Sequence, residues 1–246
     1  MISILLPSRK RPENLRRFLN SVRDTLRGCC EVIVGLDDDD PTIDAYRDVA
    51  ICYAPDAAPF ERVALRIGPQ VILSEYWNIL ARLAMSDIFW LAEDDTVYLT
   101  PGWDQMVQQA FDECPDKVLH VHGADLPPYE ETTFGNSGAV HRVWLETLGY
   151  VQSPAYFCGD YGDSWRNDLA NRIGRNKYLP FAVEHKHPYK TGDPKFDMPV
   201  DDTYLERRER EKVNDPKTVF DQTEAERIRD ADKLRAVIEK FSVDNR

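Results

Sequence analysis

Three consecutive acids, Glu93, Asp94 and Asp95, follow an apolar run from Ile88 to Ala92. A short apolar run of this kind reads as a buried strand. Carboxylates at its end would be costly if buried without partners, so packing alone gives no reason for them. A divalent cation meeting a phosphate does. Mg²⁺ and Mn²⁺ prefer oxygen ligands, and Mg²⁺-type sites use one or two carboxylates together with substrate phosphates. Three further strand ends are polar: Pro7-Ser8-Arg9, Asp37 to Asp40, and His185-Lys186-His187. Ligands of open α/β sheets bind beyond the carboxyl ends of the strands. Four polar strand ends in one small sheet therefore predict a single crevice.

The elements that would carry these residues follow from hydrophobic spacing. Ile2 to Leu6 reads as a strand, and Pro12 sits where a helix would start. Leu15, Phe18, Leu19, Val22 and Leu26 make one apolar helical face. Glu31 to Leu36 is a second strand, which completes a βαβ unit and predicts a parallel sheet. A short helix, a loop and a strand near Arg62 to Ile67 should follow. Ser74 is expected to cap a helix running to about Met85. After the acids, Pro101-Gly102 forms a turn, and Trp103, Met106, Val107, Ala110 and Phe111 mark a helix. Val118 to His122 reads as a strand, Asp125 to Gly138 as a loop, and His141 to Leu148 and Asp163 to Ile173 as helices. Tyr178 to His185 is extended, Gly192 to Tyr204 reads as loop, and Thr223 to Phe241 is an amphipathic helix.

Bulk properties narrow the function classes. The 246 residues fit one sizeable domain, and 42% hydrophobic with 30% charged residues is the composition of a soluble globular protein. No apolar run approaches the roughly 18 residues of a membrane span, and the first residues lack a signal-peptide pattern. The five cysteines, Cys29, Cys30, Cys52, Cys114 and Cys158, show no CxxC spacing, which speaks for a reducing cytoplasm and against a disulfide framework or a zinc site. Net charge is −12, with 13 acids and 11 bases from Asp201 onward and 30 acids against 20 bases before it. Such acidity disfavours nonspecific nucleic-acid binding. Local basic clusters exist early (Arg9, Lys10, Arg11, Arg16, Arg17) and late (Arg166, Arg172, Arg175, Lys177, Lys186, Lys190, Lys195).

Over roughly residues 1 to 204 the chain resembles glycosyltransferases of the GT-A fold, near family 2 and its compact phage-type members. The resemblance rests on PSRKRPENLRRFL, GLDDDDP, EYWN, EDDTVYLTPGWD, GYVQSPAYFCGDYGDSW and YLPFAVEHKHP. It implies an α/β, Rossmann-like, mostly parallel central sheet flanked by helices, with residues 205–246 as a C-terminal helical extension packed on the domain. It further implies that Pro7, Ser8 and Arg9, with Arg11 nearby, line the nucleotide, and that Asp37 with Asp38 or Asp39 holds base or ribose hydroxyls. Asn78 would lie near the ribose or the metal-binding loop. Asp95, with Asp94 or Glu93, would form the DxD-type metal site for Mn²⁺ or Mg²⁺. Asp163, or Asp160, would be the catalytic base, and His187, or His185, a late metal or diphosphate ligand. Ala92 and Glu93 stand where many relatives have aspartate, which leaves open which two acids touch the metal.

Physical reasoning runs alongside. A nucleoside diphosphate leaving an acidic protein needs positive charge, which a divalent metal supplies. An inverting transfer needs a base on the face opposite the leaving group, and Trp165 beside Asp163 could hold a sugar ring. The expected donor is a nucleotide-sugar, UDP by resemblance alone. The acceptor stays open between a soluble glycan, a protein and a hydroxymethylated pyrimidine in phage DNA, which would have to be flipped out of a duplex. A sugar-phosphate nucleotidyltransferase and a non-catalytic nucleotide-sugar-binding module are the competing readings. The former usually carries a glycine-rich loop after the first strand, which is missing here, and the latter has no need of a base.

Overall fold

A computed structural model of the protein describes residues 1–53, 59–155, 161–188, 191–193, 197–211 and 215–244. Asp160 and Cys158 lie outside the described residues. Strands β1 (Ile2–Pro7), β2 (Cys30–Asp37), β3 (Phe60–Gly68) and β4 (Ile88–Leu91) pair in parallel in the spatial order β3-β2-β1-β4. β1, β2 and β4 are buried on both faces because helices cover both, whereas the edge strand β3 is mostly half-exposed. Ile4 and Leu6 join the core beneath α1 (Pro12–Thr25) and α2 (Ile43–Ile51), while Leu5 joins the core beneath α3 (Leu73–Leu83).

The sheet continues through β4 to β7 (Gly138–His141), β6 (His120–Ala124), β8 (Asn176–His185) and β5 (Thr96–Tyr98). Only β7 and β5 run against the other strands of this sheet, because β4–β7, β6–β7 and β5–β8 are antiparallel and β6–β8 is parallel. The carboxyl ends of β1, β2, β4 and β8 therefore meet along one edge. The remaining helices are α4 (Trp103–Asp112), α5 (Arg142–Leu148), α6 (Gly162–Arg172), α7 (Asp202–Glu211), α8 (Pro216–Gln222) and α9 (Glu224–Asp244). α9 packs on α5 and α6, with Ala231 and Leu234 buried among Trp144, Trp165 and Leu169. No helix among the described residues is long and apolar enough to cross a membrane.

Several sequence expectations shift. The strand expected over 118–122 spans His120–Ala124, and residues expected to be loop or helix form β7, a four-residue strand headed by glycine. Ser74 does not cap α3. Ile72 occupies the cap position with no side-chain bond, and Ser74 Oγ donates to the Pro154 carbonyl at 3.4 Å. The segment read as loop to Tyr204 turns helical at Asp202, so a division after residue 204 falls inside α7. The TPGWD sequence has structural work. Gly102 adopts φ 80°, which favours glycine. Trp103 stacks on Tyr98 with centroids 4.4 Å apart, and the Asp104 carboxylate accepts from Arg27 N (3.1 Å) and Gly28 N (2.7 Å).

Candidate functional site

The converging strand ends enclose a cavity of about 480 Å³. Its walls include Pro7, Ser8, Arg9 and Arg11 from the end of β1, Asp37 from β2, the three acids after β4, His185 and His187 after β8, and Asp163 from α6. Sequence-expected residues from four strand ends and one helix are thus brought together.

At the β1–β2 end, Arg9 Nη1 donates to Asp37 Oδ2 (2.7 Å) and to Asp39 Oδ1 (2.5 Å), and Gln70 Nε2 donates to Asp37 Oδ2 (3.1 Å). Asp37 Oδ1 is buried and receives no hydrogen bond. Burial pushes the Asp37 carboxyl up, against the pull of Gln70 and Arg9. Asp37 lines the cavity, and this oxygen has lone pairs to which a hydroxyl or N–H of a ligand could donate. Asp39 is exposed and steers Arg9, and Asp38 is exposed and absent from the cavity wall. Asn78 is also absent from the wall. It is buried in α3, where Nδ2 donates to Glu75 Oε2 (3.1 Å) and the Ser153 carbonyl (3.0 Å), and Oδ1 accepts from Val151 N (2.9 Å). From the same EYWN stretch, Tyr76 and Trp77 line the cavity instead.

The three acids have different surroundings. Glu93 accepts a hydrogen bond from Ser137 Oγ, and burial pushes its carboxyl up. Asp94 accepts from Ser8 Oγ (2.5 Å) and Arg11 Nη1 (3.1 Å). Burial raises it too, with Arg11 opposing and the charge of Asp95 adding to the rise. Asp95 is 5% exposed, and its Oδ1 lies 3.2 Å from His185 Nε2 without an aligned hydrogen bond. Although burial works against its charge, the nearby histidine pair and Arg11 hold its carboxyl well below the usual range. Asp95 is thus a charged carboxylate in the cavity wall with one buried oxygen, Oδ1, that accepts no aligned hydrogen bond among the described residues.

His187 has the tautomer a metal would want. Its Nδ1 lies 2.9 Å from the Pro188 carbonyl, an acceptor, so Nδ1 carries the proton and Nε2 keeps its lone pair. Burial lowers its pKa to about 4, against the pull of Asp95. The rings of His185 and His187 are 5.6 Å apart, which fits side chains two residues apart on one face. The chemistry of this set fits a divalent cation held by one carboxylate oxygen and one neutral imidazole. Among the described residues no three His, Cys, Asp or Glu side chains stand together as a complete protein-only site.

Asp163 lies in the first turn of α6, which Tyr161 starts with φ 67°. It is a turn residue of the helix and not its cap, with Oδ1 accepting from Ser164 N at 2.7 Å. Trp165 is fully buried in the second core, 0% exposed, so it cannot hold a sugar ring. The aromatic rings on the wall are those of Tyr76, Trp77, Phe134, Tyr161 and Tyr204.

Sequence reasoning missed the α7 wall. Thr203, Tyr204 and Arg207 line the cavity, and Arg207 Nη2 approaches His187 Nε2 at 3.4 Å. α7 is tied down across the end of β1. Asp201 takes Arg11 Nε and Nη2 in a two-pronged pair at 2.7 Å each, Glu206 takes Lys10 Nζ at 2.6 Å, and Thr203 Oγ1 donates to the Arg9 carbonyl at 3.1 Å. The segment's charged, apolar-poor sequence gave no periodic signal for a helix. Gln70, Asn136 and Gln152 were also missed. Gln70 had a signal, since it follows the end of β3 as the other site residues follow theirs.

The late basic cluster forms no groove among the described residues. Arg172 pairs with Asp168 and Glu224, Arg175 with Asp116, Lys177 with Glu113, and Lys186 with Glu184. Lys190 and Lys195 lie outside the described residues.

No family model matches the chain, and no curated protein matches it. Solved structures do. The crystal structure of S. aureus TarS 1–349 in complex with UDP is similar, with a TM-score of 0.56 and 14% identity over 73% of this chain and 59% of that one. The same protein in complex with UDP-GlcNAc gives 0.53 and 13%, covering 84% and 64%. Mannosyltransferase PcManGT from Pyrobaculum calidifontis, in complex with GDP-Man and Mn²⁺, gives 0.58 and 14%, covering 98% and 75%. The chain spans 59% of the TarS 1–349 chain with UDP, less than two thirds of its length. The likeness is one of fold, and the chain has the Rossmann-like GT-A architecture expected from its sequence.

Proposed function

We propose that this protein is a metal-dependent glycosyltransferase that moves a sugar from a nucleotide-sugar to an acceptor hydroxyl, with inversion. The observation that carries the reading is Asp95. It is a charged carboxylate with an under-coordinated buried oxygen, placed where four strand ends meet and near His187, whose unprotonated Nε2 is met at 3.4 Å by Arg207 Nη2, a contact that a bound metal would replace. Binding the nucleotide falls to Pro7, Ser8 and the free oxygen of Asp37, with Arg9 and Arg11 supplying positive charge. Asp95 and His187 would hold Mn²⁺ or Mg²⁺, which supplies charge against the leaving diphosphate. One or two protein ligands suffice when donor phosphates complete the shell. Glu93 and Asp94, engaged by Ser137, Ser8 and Arg11, set the position of Asp95.

In the transfer step the acceptor oxygen attacks the anomeric carbon while Asp163 takes the hydroxyl proton. The bond from that carbon to the diphosphate oxygen breaks, and the nucleoside diphosphate leaves with the electron pair. PcManGT is named with GDP-Man and Mn²⁺ and TarS with UDP and UDP-GlcNAc, which supports a nucleoside-diphosphate donor and gives UDP no advantage over GDP. Among the described residues Arg172, Arg175, Lys177 and Lys186 each pair with an acid, which favours a soluble glycan or protein over DNA as the acceptor in this reading.

The test is calorimetric titration of UDP, GDP, CMP and TDP with Mn²⁺ or EDTA, on wild type and Asp95→Ala. Micromolar binding of one nucleotide, lost with EDTA and in the variant, supports the reading. Binding that is indifferent to metal and to Asp95 overturns it. Product analysis showing a retained anomer would remove Asp163 from the base role.

A further inference from the structure

Among the described residues Arg166 is a fully buried cation, 0% exposed, and no carboxylate among them makes an ion pair with it. Every hydrogen-bond partner it has among the described residues is neutral. Nε donates to His120 Nε2 at 3.0 Å, Nη1 donates to Gln152 Oε1, and Nη2 donates to the carbonyls of Gly135 (3.2 Å) and Asn136 (2.5 Å). A buried cation without a contact counter-charge is expensive. The acids that act on it through space are Asp163 and Glu93, both in the cavity wall.

Its partners share a location. Gln152 and Asn136 line the cavity, and Phe134 beside them does too. Asn167, the next residue of α6, holds the same segment from the other side. Its Oδ1 accepts from Gly135 N (3.1 Å), and its Nδ2 donates to the Gly135 carbonyl (2.8 Å) and back to the Asp163 carbonyl (2.8 Å). Gly135 lies so close to β6 that any side chain there would collide with His122. Ser137, further along the segment, donates to Glu93. One guanidinium thus fixes Gln152 and the 135–136 backbone from the helix whose first turn carries Asp163. None of these residues belongs to the β1–β2 end, where Pro7 to Arg11 and Asp37 stand.

We infer that Arg166 is a positioning residue for the transfer step, which registers the acceptor half of the cavity against Asp163 and leaves the nucleotide half untouched. The inference rests on the glycosyltransferase reading. It assigns the 134–136 segment and Gln152 to the wall that holds the attacking hydroxyl, of the acceptor or of water, against Asp163.

The experiment compares full-length wild type, Arg166→Met, Arg166→Lys and Asn167→Ala. Nucleotide affinity is measured by titration with Mn²⁺, and turnover by release of nucleoside diphosphate from the matching nucleotide-sugar, with water standing in for the acceptor. The expected result is a nucleotide Kd within about threefold of wild type and kcat down about 100-fold in Arg166→Met, as for a displaced reacting group, with partial recovery in Arg166→Lys. Asn167→Ala, which keeps the buried charge and cuts one clip, should lower kcat without moving Kd. If Arg166→Met does not fold, Arg166→Lys and Asn167→Ala decide alone. A Kd that loosens in step with kcat, or an unchanged kcat, overturns the inference while leaving the transferase reading standing. Wild type that neither binds a nucleotide nor releases one from a nucleotide-sugar overturns the functional reading itself.

Discussion

Asp95→Asn should weaken Mn²⁺-dependent nucleotide binding by about 100-fold, while Ser137→Ala, whose hydroxyl donates to Glu93, should change it by less than about threefold. The contrast follows from partners. Asp94 is engaged by Ser8 and Arg11 and Glu93 by Ser137, whereas Asp95 Oδ1 has no aligned donor. Titrations of both variants against wild type, with and without EDTA, would check it, and equal losses would sink the assignment. Asp163→Asn belongs to a different class. It should lower kcat by about 10³ and leave nucleotide affinity alone, since a base acts only as the proton moves. Nucleotide release in single-turnover and steady-state assays reads this directly. At the scale of residues the sequence exposed the acid triplet, the β1 and β2 ends and the two histidines, because charge after an apolar run is visible in one dimension. It could not rank Glu93, Asp94 and Asp95, since the ranking depends on Ser8, Arg11 and Ser137, which are distant in the chain. It misplaced Asn78 for the same reason: the backbone of 151–153 that engages it is 73 to 75 residues away.

The elements that periodicity could reveal are those with long apolar faces, namely α1, α3, α4, α6 and α9 and the core strands. Those it hid are short or polar. β5 has three residues, β7 has four, and α7 reads DTYLERRERE with scarcely an apolar stripe. α7 is held by charge instead, through Arg11–Asp201 and Lys10–Glu206. That makes its attachment separable from the core. Asp201→Asn removes a two-pronged, charge-assisted pair, so local opening of α7 should become easier by about 1.5 kcal/mol. Amide exchange across 202–211 should rise roughly tenfold with protection of β1 and β4 unchanged. Exchange measured by mass spectrometry would show it, and an effect spread into the core strands would mean that α7 is welded to the fold and is no separate unit. Because the same arginine also touches Asp94, the strap and the acid triplet share one cation.

Over the whole molecule, acidity and buried polarity meet in one pH response. The chain carries a net charge of −12, yet its interior holds a cation, Arg166, next to a histidine that must stay neutral. His120 is 0% exposed, and its Nε2 accepts from Arg166 Nε while Nδ1 faces Asn176 Oδ1 at 2.8 Å, which fixes the neutral Nδ1–H tautomer. Burial, followed by the charges of Arg166 and His122, holds its pKa well below 6.5. The unfolded chain protonates this histidine near its ordinary value and the folded chain does not. Below that value the unfolded state therefore binds more protons, and stability falls as pH falls. Above it both states are neutral and the group contributes nothing. The expected slope from His120 is about 1.4 kcal/mol per pH unit below pH 6.5. Glu93 and Asp94, whose carboxyls burial raises, work in the opposite direction. Histidines 122, 141 and 187 work in the same direction. All of these stay in place in His120→Gln, so comparing the two proteins isolates one side chain. Urea unfolding from pH 8 to pH 5.5 should show the variant less stable at pH 8 but losing stability more slowly below pH 6.5. Parallel profiles would mean that Arg166 yields its bond and His120 takes a proton without loss. The neutral imidazole would then have no part in holding the guanidinium that organises the acceptor wall.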